Sequence, residues 1–159
     1  MGTRLQVVIR TVMGICVGLM LAGCTEDFGL DQHGRKVPAE RLEGQWLVIN
    51  YWAEWCAPCR SEIPELNALA PQLEALSASV VGVNFDGLQG ADLATASQAM
   101  GIEFTVLEQD PAVRFGLPPS AVLPVTYIVD DKGRMRERLL GEQTAASLLV
   151  RVQTLRTGG

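Results

Sequence analysis

The segment that most restricts this chain is "QWLVINYWA", residues 45–53. Apart from Gln45 and Asn50 it is apolar, rich in β-branched and aromatic side chains, and it does not alternate polar with apolar residues. A strand with one wet face alternates, whereas a strand covered on both faces does not. The segment therefore predicts the central strand of a sheet with other elements packed on each side. Immediately after it the period changes. Across residues 57–76, Ile63, Leu66, Leu69, Leu73 and Leu76 recur at helical spacing. Pro64 lies within that helix and should remove one backbone hydrogen bond and kink it after two turns.

The same logic carries along the chain. "SVVGVNFD" (79–86) predicts a second central strand, and "GADLATASQAM" (90–100) a helix stopped by Gly101. "FTVLEQ" (104–109) predicts a third strand and "PAVRFGL" (111–117) a short helix with proline at its start. "VTYIVDDKGRMRERLLG" (125–141) has the form of a hairpin turning at Asp130-Asp131-Lys132-Gly133. A closing amphipathic helix over 144–155 places Ala145, Leu148, Leu149, Val152 and Leu155 on one face. The order β-α-β-α-β-α-β-β-α gives parallel crossovers first and an antiparallel hairpin last. That is an α/β fold with a mixed central sheet and helices on both faces.

The first residues belong to targeting. Arg4 and Arg10 precede an uncharged apolar run, Val12 to Ala22, which is short for a membrane span and ends in small residues. It closes on Leu21-Ala22-Gly23-Cys24, which resembles a bacterial lipobox. On that reading residues 1–23 are a lipoprotein signal peptide, Cys24 is lipidated, and the protein is periplasmic and held to a membrane. Residues 24–36, polar and containing two glycines, read as a tether, and 37–159 as one domain. The mature chain carries a net charge of about −7. It has no basic patch to follow a phosphate backbone, so nucleic acid is not an expected partner.

Targeting simplifies the cysteines. Cys16 leaves with the signal and Cys24 is capped, so Cys56 and Cys59 remain as the thiols. Three readings compete for this pair. A structural staple normally closes a long loop, and a bond across two residues closes almost none. A structural zinc site needs four ligands, and the single histidine, His33, lies in the polar N-terminal stretch. Thiol–disulfide exchange suits the position, where a buried strand becomes a helix. Cys56 at the helix N-terminus is placed where free N–H groups stabilise a thiolate. Cys59, one turn on, is placed to attack a mixed disulfide formed at Cys56. Pro58 stiffens the first turn at no cost in hydrogen bonding.

"NYWAEWCAPCRSEIP" is similar to the active-site segment of the thioredoxin superfamily, and its "WCxPCRxExP" form resembles the extracytoplasmic TlpA/ResA-type thiol–disulfide oxidoreductases. "LPVTYIVDDKGR" resembles that family's cis-proline strand and the hairpin after it. The likeness extends over about residues 37–157. It implies a thioredoxin-like fold, Cys56 as exposed nucleophile, Cys59 as buried resolving thiol, and a cis bond before Pro124. It also implies a client surface formed by Trp55, Ala57, Pro58, Leu123 and Pro124, along which an extended peptide adds like a strand. Glu62, three residues after Cys59, becomes a partly buried acid that handles protons around the disulfide; the alternative is a surface glutamate favouring the helix dipole.

Two departures from thioredoxin stand out. Asn50 matches a position held there by a buried aspartate, and asparagine cannot exchange a proton. "PPSAV" (118–122) lengthens the loop before Leu123-Pro124, either for substrate or as a rigid connector. Trp52 is expected in the core, and Glu54 and Arg60 on the rim. The expected activity is reduction of disulfides in extracytoplasmic proteins, apocytochrome c among the possible clients. The Cys56–Cys59 disulfide serves as the redox group, with no metal and no other cofactor. A transmembrane thiol reductase is the expected electron donor, and the protein is expected to act as a monomer. The alternatives are a disulfide oxidase or isomerase, a peroxidase, and a non-catalytic binding module of the same fold.

Overall fold

A computed structural model of the protein describes residues 27–158. The signal peptide and the lipidated Cys24 expected from the sequence lie outside the described residues. The elements follow the expected order: β1 (Trp46–Trp52), α1 (Ala57–Glu74), β2 (Ala78–Asn84), α2 (Gly90–Ala99), β3 (Thr105–Leu107), α3 (Ala112–Phe115), β4 (Val125–Val129), β5 (Met135–Leu140) and α4 (Ala145–Thr157). A single sheet runs β3-β2-β1-β4-β5. β1 and β3 are parallel to β2, while β4 runs antiparallel to both β1 and β5.

All seven residues of β1 are buried, as the unbroken run requires. Its side chains divide strictly by parity. Trp46, Val48 and Trp52 join a core with Ile63, Leu66 and Leu69 of α1, Leu93 of α2 and Leu148 of α4. Leu47, Ile49 and Tyr51 join a second core on the other face, with Val81, Tyr127 and Val129. Period-2 geometry explains the split, and it puts the even-numbered Asn50 on the α1 side.

The second face departs from the sequence reading. Residues 27–36 are not a tether. Phe28 and Val37 are buried in the second core, and the half-buried Phe115 of α3 stacks on Phe28 with ring centroids 5.8 Å apart. The segment also covers the free edge of β3. Gln32 donates from its backbone to Val106 O, and its side chain both donates to Phe104 O and accepts from Val106 N. Leu30 O accepts from Glu108 N. An edge strand left bare would be a template for further pairing, and here the chain's own N-terminal stretch occupies it. The described fold thus begins well before residue 37.

Asp31 shows how so polar a stretch can be buried. Its Oδ1 accepts from the backbone N–H of His33 and of Arg35, and its Oδ2 from the Arg35 guanidinium. Burial by itself would raise its pKa, but these donors hold the carboxyl below the usual range. Gly34 supplies the turn's positive φ of 71°. Asp130, Gly133 and Arg134 repeat the arrangement in the β4–β5 turn, with Gly133 at φ 72°. "DQHGR" and "DDKGR" are therefore two copies of one turn, a carboxylate plugged by two amides and the arginine that ends it.

Helix α1 continues through both Pro64 and a second internal proline, Pro71. Both lie on its exposed side, where the carbonyls they leave unpaired can be hydrated. Strand β3 and helix α3 are shorter than expected. α3 stops at Gly116, which adopts the left-handed conformation at φ 60°.

Candidate active site

Cys56 is the N-cap residue of α1, with extended backbone (φ −83°, ψ 99°), and its Sγ accepts from the Cys59 N–H at 3.2 Å. The two cysteines form a disulfide with Sγ–Sγ 2.00 Å and Cα–Cα 5.3 Å. Cys56 is 4% exposed and Cys59 fully buried. Their order of access is as expected, but Cys56 is far more covered than an exposed nucleophile. The turn that begins the helix, Cys56 N–H to Ala53 O, tucks it against the first core. When the bond is reduced, the sulfur at the N-cap is the one the free N–H groups of the first turn can stabilise as a thiolate.

Around it the other expected residues fall in distinct places. Ala57 and Pro58 are exposed on the first turn, Pro124 is buried, and Leu123 packs against the core containing both cysteines. The Leu123–Pro124 bond is cis. Trp55 is 66% exposed, with its ring edge-on to Phe85 and its indole N–H donating to Asp86 at 3.0 Å. Trp52 is in the core, while Glu54 and Arg60 lie on the surface, the Arg60 guanidinium donating to Glu54 O. His33 is exposed. The "PPSAV" loop does more than connect. Pro118 O accepts from the Tyr127 hydroxyl, and Pro118, Pro119 and Ser120 wall a cleft of about 310 Å³ with Tyr51, Asp110 and Phe85.

Glu62 is 1% exposed, so it is not a surface glutamate. Helical spacing puts it one turn beyond Cys59 on the same side of α1. Its Oε2 accepts from Asn50 Nδ2 at 2.8 Å and its Oε1 from the Gln143 backbone N–H at 3.0 Å. Asn50 Nδ2 is shared, donating also to Thr126 Oγ1 at 2.9 Å. Burial pushes the Glu62 carboxyl up to about 7, against those hydrogen bonds and with help from the nearby Glu142 charge. A carboxyl poised there can give or take a proton at neutral pH. Asn50 and Thr126, on two neighbouring strands, and the Gln143 amide are partners that sequence reasoning missed. Strand parity along β1 is a signal that could have found Asn50; nothing local marked Thr126 or Gln143. Among the described residues, no cluster of three or more His, Cys, Asp or Glu side chains is arranged to hold a metal ion.

A redox-active pair capping the helix after the central strand, beside a cis-proline strand, defines a thiol–disulfide oxidoreductase of thioredoxin-like fold. The chain belongs to the AhpC/TSA family, whose sequence model matches residues 23–138. It is 30% identical to the thiol:disulfide interchange protein HelX of Rhodobacter capsulatus, over 79% of this chain and 77% of that protein. It is 28% identical to the thiol-disulfide oxidoreductase ResA of Bacillus thuringiensis, over 74% of this chain and 68% of that protein. Among solved structures, a DsbF homologue from Corynebacterium diphtheriae superposes with a TM-score of 0.67 at 26% identity, covering 79% of this chain and 82% of that one.

Proposed function

We propose that this protein is a membrane-anchored reductant of disulfides in extracytoplasmic proteins. In the forward reaction the Cys56 thiolate attacks a client disulfide, forming a mixed disulfide and expelling one client thiolate. Cys59 then loses its proton, attacks Cys56 Sγ, and expels the second client sulfur as a thiolate that takes up a proton. Two electrons pass to the client, and the Cys56–Cys59 disulfide forms. A transmembrane thiol reductase would restore the dithiol. Glu62 accepts the proton that Cys59 must lose. Trp55, Ala57, Pro58, Leu123 and Pro124 form the client surface, with Leu123 offering backbone to an extended peptide. Relatives named for thiol–disulfide interchange support clients of this general kind, with apocytochrome c among the candidates.

The observation that carries the reading is the disulfide at the start of α1 with the buried Glu62 one turn beyond it. The direction rests on Ala57-Pro58, which puts no histidine between the cysteines to stabilise the Cys56 thiolate and so favour the dithiol over the disulfide. The reduction potential of the pair tests it. It is expected nearer the thioredoxin value of about −270 mV than the strongly oxidising value of about −120 mV, together with turnover in insulin reduction. A potential at the oxidising end would make the protein an oxidase, and no turnover at all would make it a binding module.

The anchor is tested separately. Cys24→Ser should leave the precursor unprocessed by signal peptidase II and without lipid. Mature wild-type protein beginning at another residue would overturn the lipoprotein assignment.

A further inference from the structure

Asn50 is fully buried, and its Nδ2 serves two acceptors, Glu62 Oε2 and Thr126 Oγ1. Its Oδ1, equally buried, has no hydrogen-bond partner. An orphaned acceptor in a core is costly, and its cost would normally select the other amide orientation. Here neither orientation satisfies everything. With Nδ2 toward Glu62 the amide supports a carboxylate and strands its oxygen. With Oδ1 toward Glu62 it would accept from a protonated Oε2 and from the Thr126 hydroxyl, and strand its nitrogen. Each arrangement leaves one amide atom stranded, and the charge on Glu62 chooses between them.

The other side of the carboxyl has no such freedom. Oε1 faces the Gln143 backbone N–H, which can only donate. A proton on Oε1 would weaken that oxygen as an acceptor for the amide, so the proton is better held on Oε2. We propose that Asn50 is the positioning residue for the Glu62 proton: its amide turns over as Glu62 titrates, donating to the carboxylate and accepting from the acid. The proton is thereby held on one defined oxygen in both halves of the cycle. This rests on the reading of Glu62 as proton carrier. The charged or titratable groups near Glu62 are few. Glu142 lies in the connector before α4, Cys59 is on α1, and Glu65 on α1 is engaged by the Ala145 N–H; β1 and β4 contribute the uncharged Asn50 and Thr126.

The test follows the Asn50 side-chain amide by NMR in the full chain, labelled on asparagine nitrogen, with the disulfide intact. Asn50→Leu assigns the signals by their disappearance. The Asn50 amide shifts should move with the same midpoint as the Glu62 carboxyl carbon, and the contact from its NH₂ protons to Thr126 should be lost on the acid side. Amide signals that stay flat through the Glu62 titration would overturn the proposal. An Asn50 amide that keeps its NH₂ contact to Thr126 on both sides of the Glu62 midpoint is a fixed donor, and that result would also overturn the proposal. If the leucine variant does not fold, the wild-type titration still decides, with Asn50→Ser used for assignment. Glu62→Gln separates the two readings: unchanged exchange rates there would remove the role of Glu62 in turnover, whereas a turning Asn50 amide in wild type would stand.

Discussion

Cys56→Ala should abolish thiol–disulfide exchange, and Cys59→Ala should convert the protein into a trap that holds clients as stable mixed disulfides. The asymmetry follows from the helix terminus. Cys56 sits at the N-cap with its sulfur accepting from the Cys59 N–H, so its thiolate is the one the first turn stabilises. It also has what little access the pair offers, 4% against none. Without Cys56 no sulfur remains that a client can reach. Without Cys59 the first attack proceeds, but the mixed disulfide has no internal thiol to resolve it. Non-reducing gels of Cys59→Ala incubated with a disulfide-bonded client should show a covalent adduct that dithiothreitol dissolves. A Cys59→Ala variant that turns over like wild type would reverse the assigned roles. The near-complete cover of Cys56 adds an expectation for rate. A sulfur so covered is reached less readily by a folded surface, and first attack by a folded client should be slower than by a short peptide disulfide.

What could be read from the sequence was decided by how locally each feature is determined. β1 was legible because burial on both faces leaves its mark on every residue from Trp46 to Trp52. The cysteine pair was legible because function and secondary structure coincide at one strand-to-helix junction. Helical spacing alone put Glu62 beside Cys59; its burial depends on the start of α4 folding back over α1, which no local pattern encodes. The N-terminal stretch was misread for the opposite reason. Its polarity is real, but Asp31 consumes its own hydrogen-bonding capacity within the turn, and Gln32 spends its amide on β3. Polar groups satisfied in this way can be buried. The clue was the recurrence of Asp-x-x-Gly-Arg at 31–35 and 130–134, taken as a turn only at its second occurrence. Asn50 was read as a lost proton carrier, when its amide is the direct partner of the buried Glu62 carboxyl.

Glu62→Gln should flatten a pH dependence of stability that the wild type carries between about pH 4.5 and 7. The folded-state carboxyl titrates near 7, against an ordinary value of 4.5, because burial disfavours its charge. The folded protein therefore holds this proton more tightly than the unfolded chain. The resulting stabilisation is fully present below pH 4.5, where both states are protonated, and is lost as pH rises towards 7, where the unfolded chain has already ionised. The span of the shift corresponds to about 3 kcal/mol, a large part of a small domain's stability. Glutamine keeps the shape of the protonated acid. Its carbonyl can accept from the Gln143 N–H, and its amide can donate to Asn50 Oδ1 once the Asn50 amide has turned over. Urea unfolding of the oxidised protein at a series of pH values should thus show wild-type stability falling through that window and the variant staying level from this site. If Glu62 takes the Cys59 proton as proposed, exchange should slow at neutral pH, and the potential–pH curve should change slope near the Glu62 midpoint in wild type only. If the two proteins lose stability in parallel and exchange at the same rate, Glu62 ionises as an ordinary carboxylate and the protons of the cycle come from solvent.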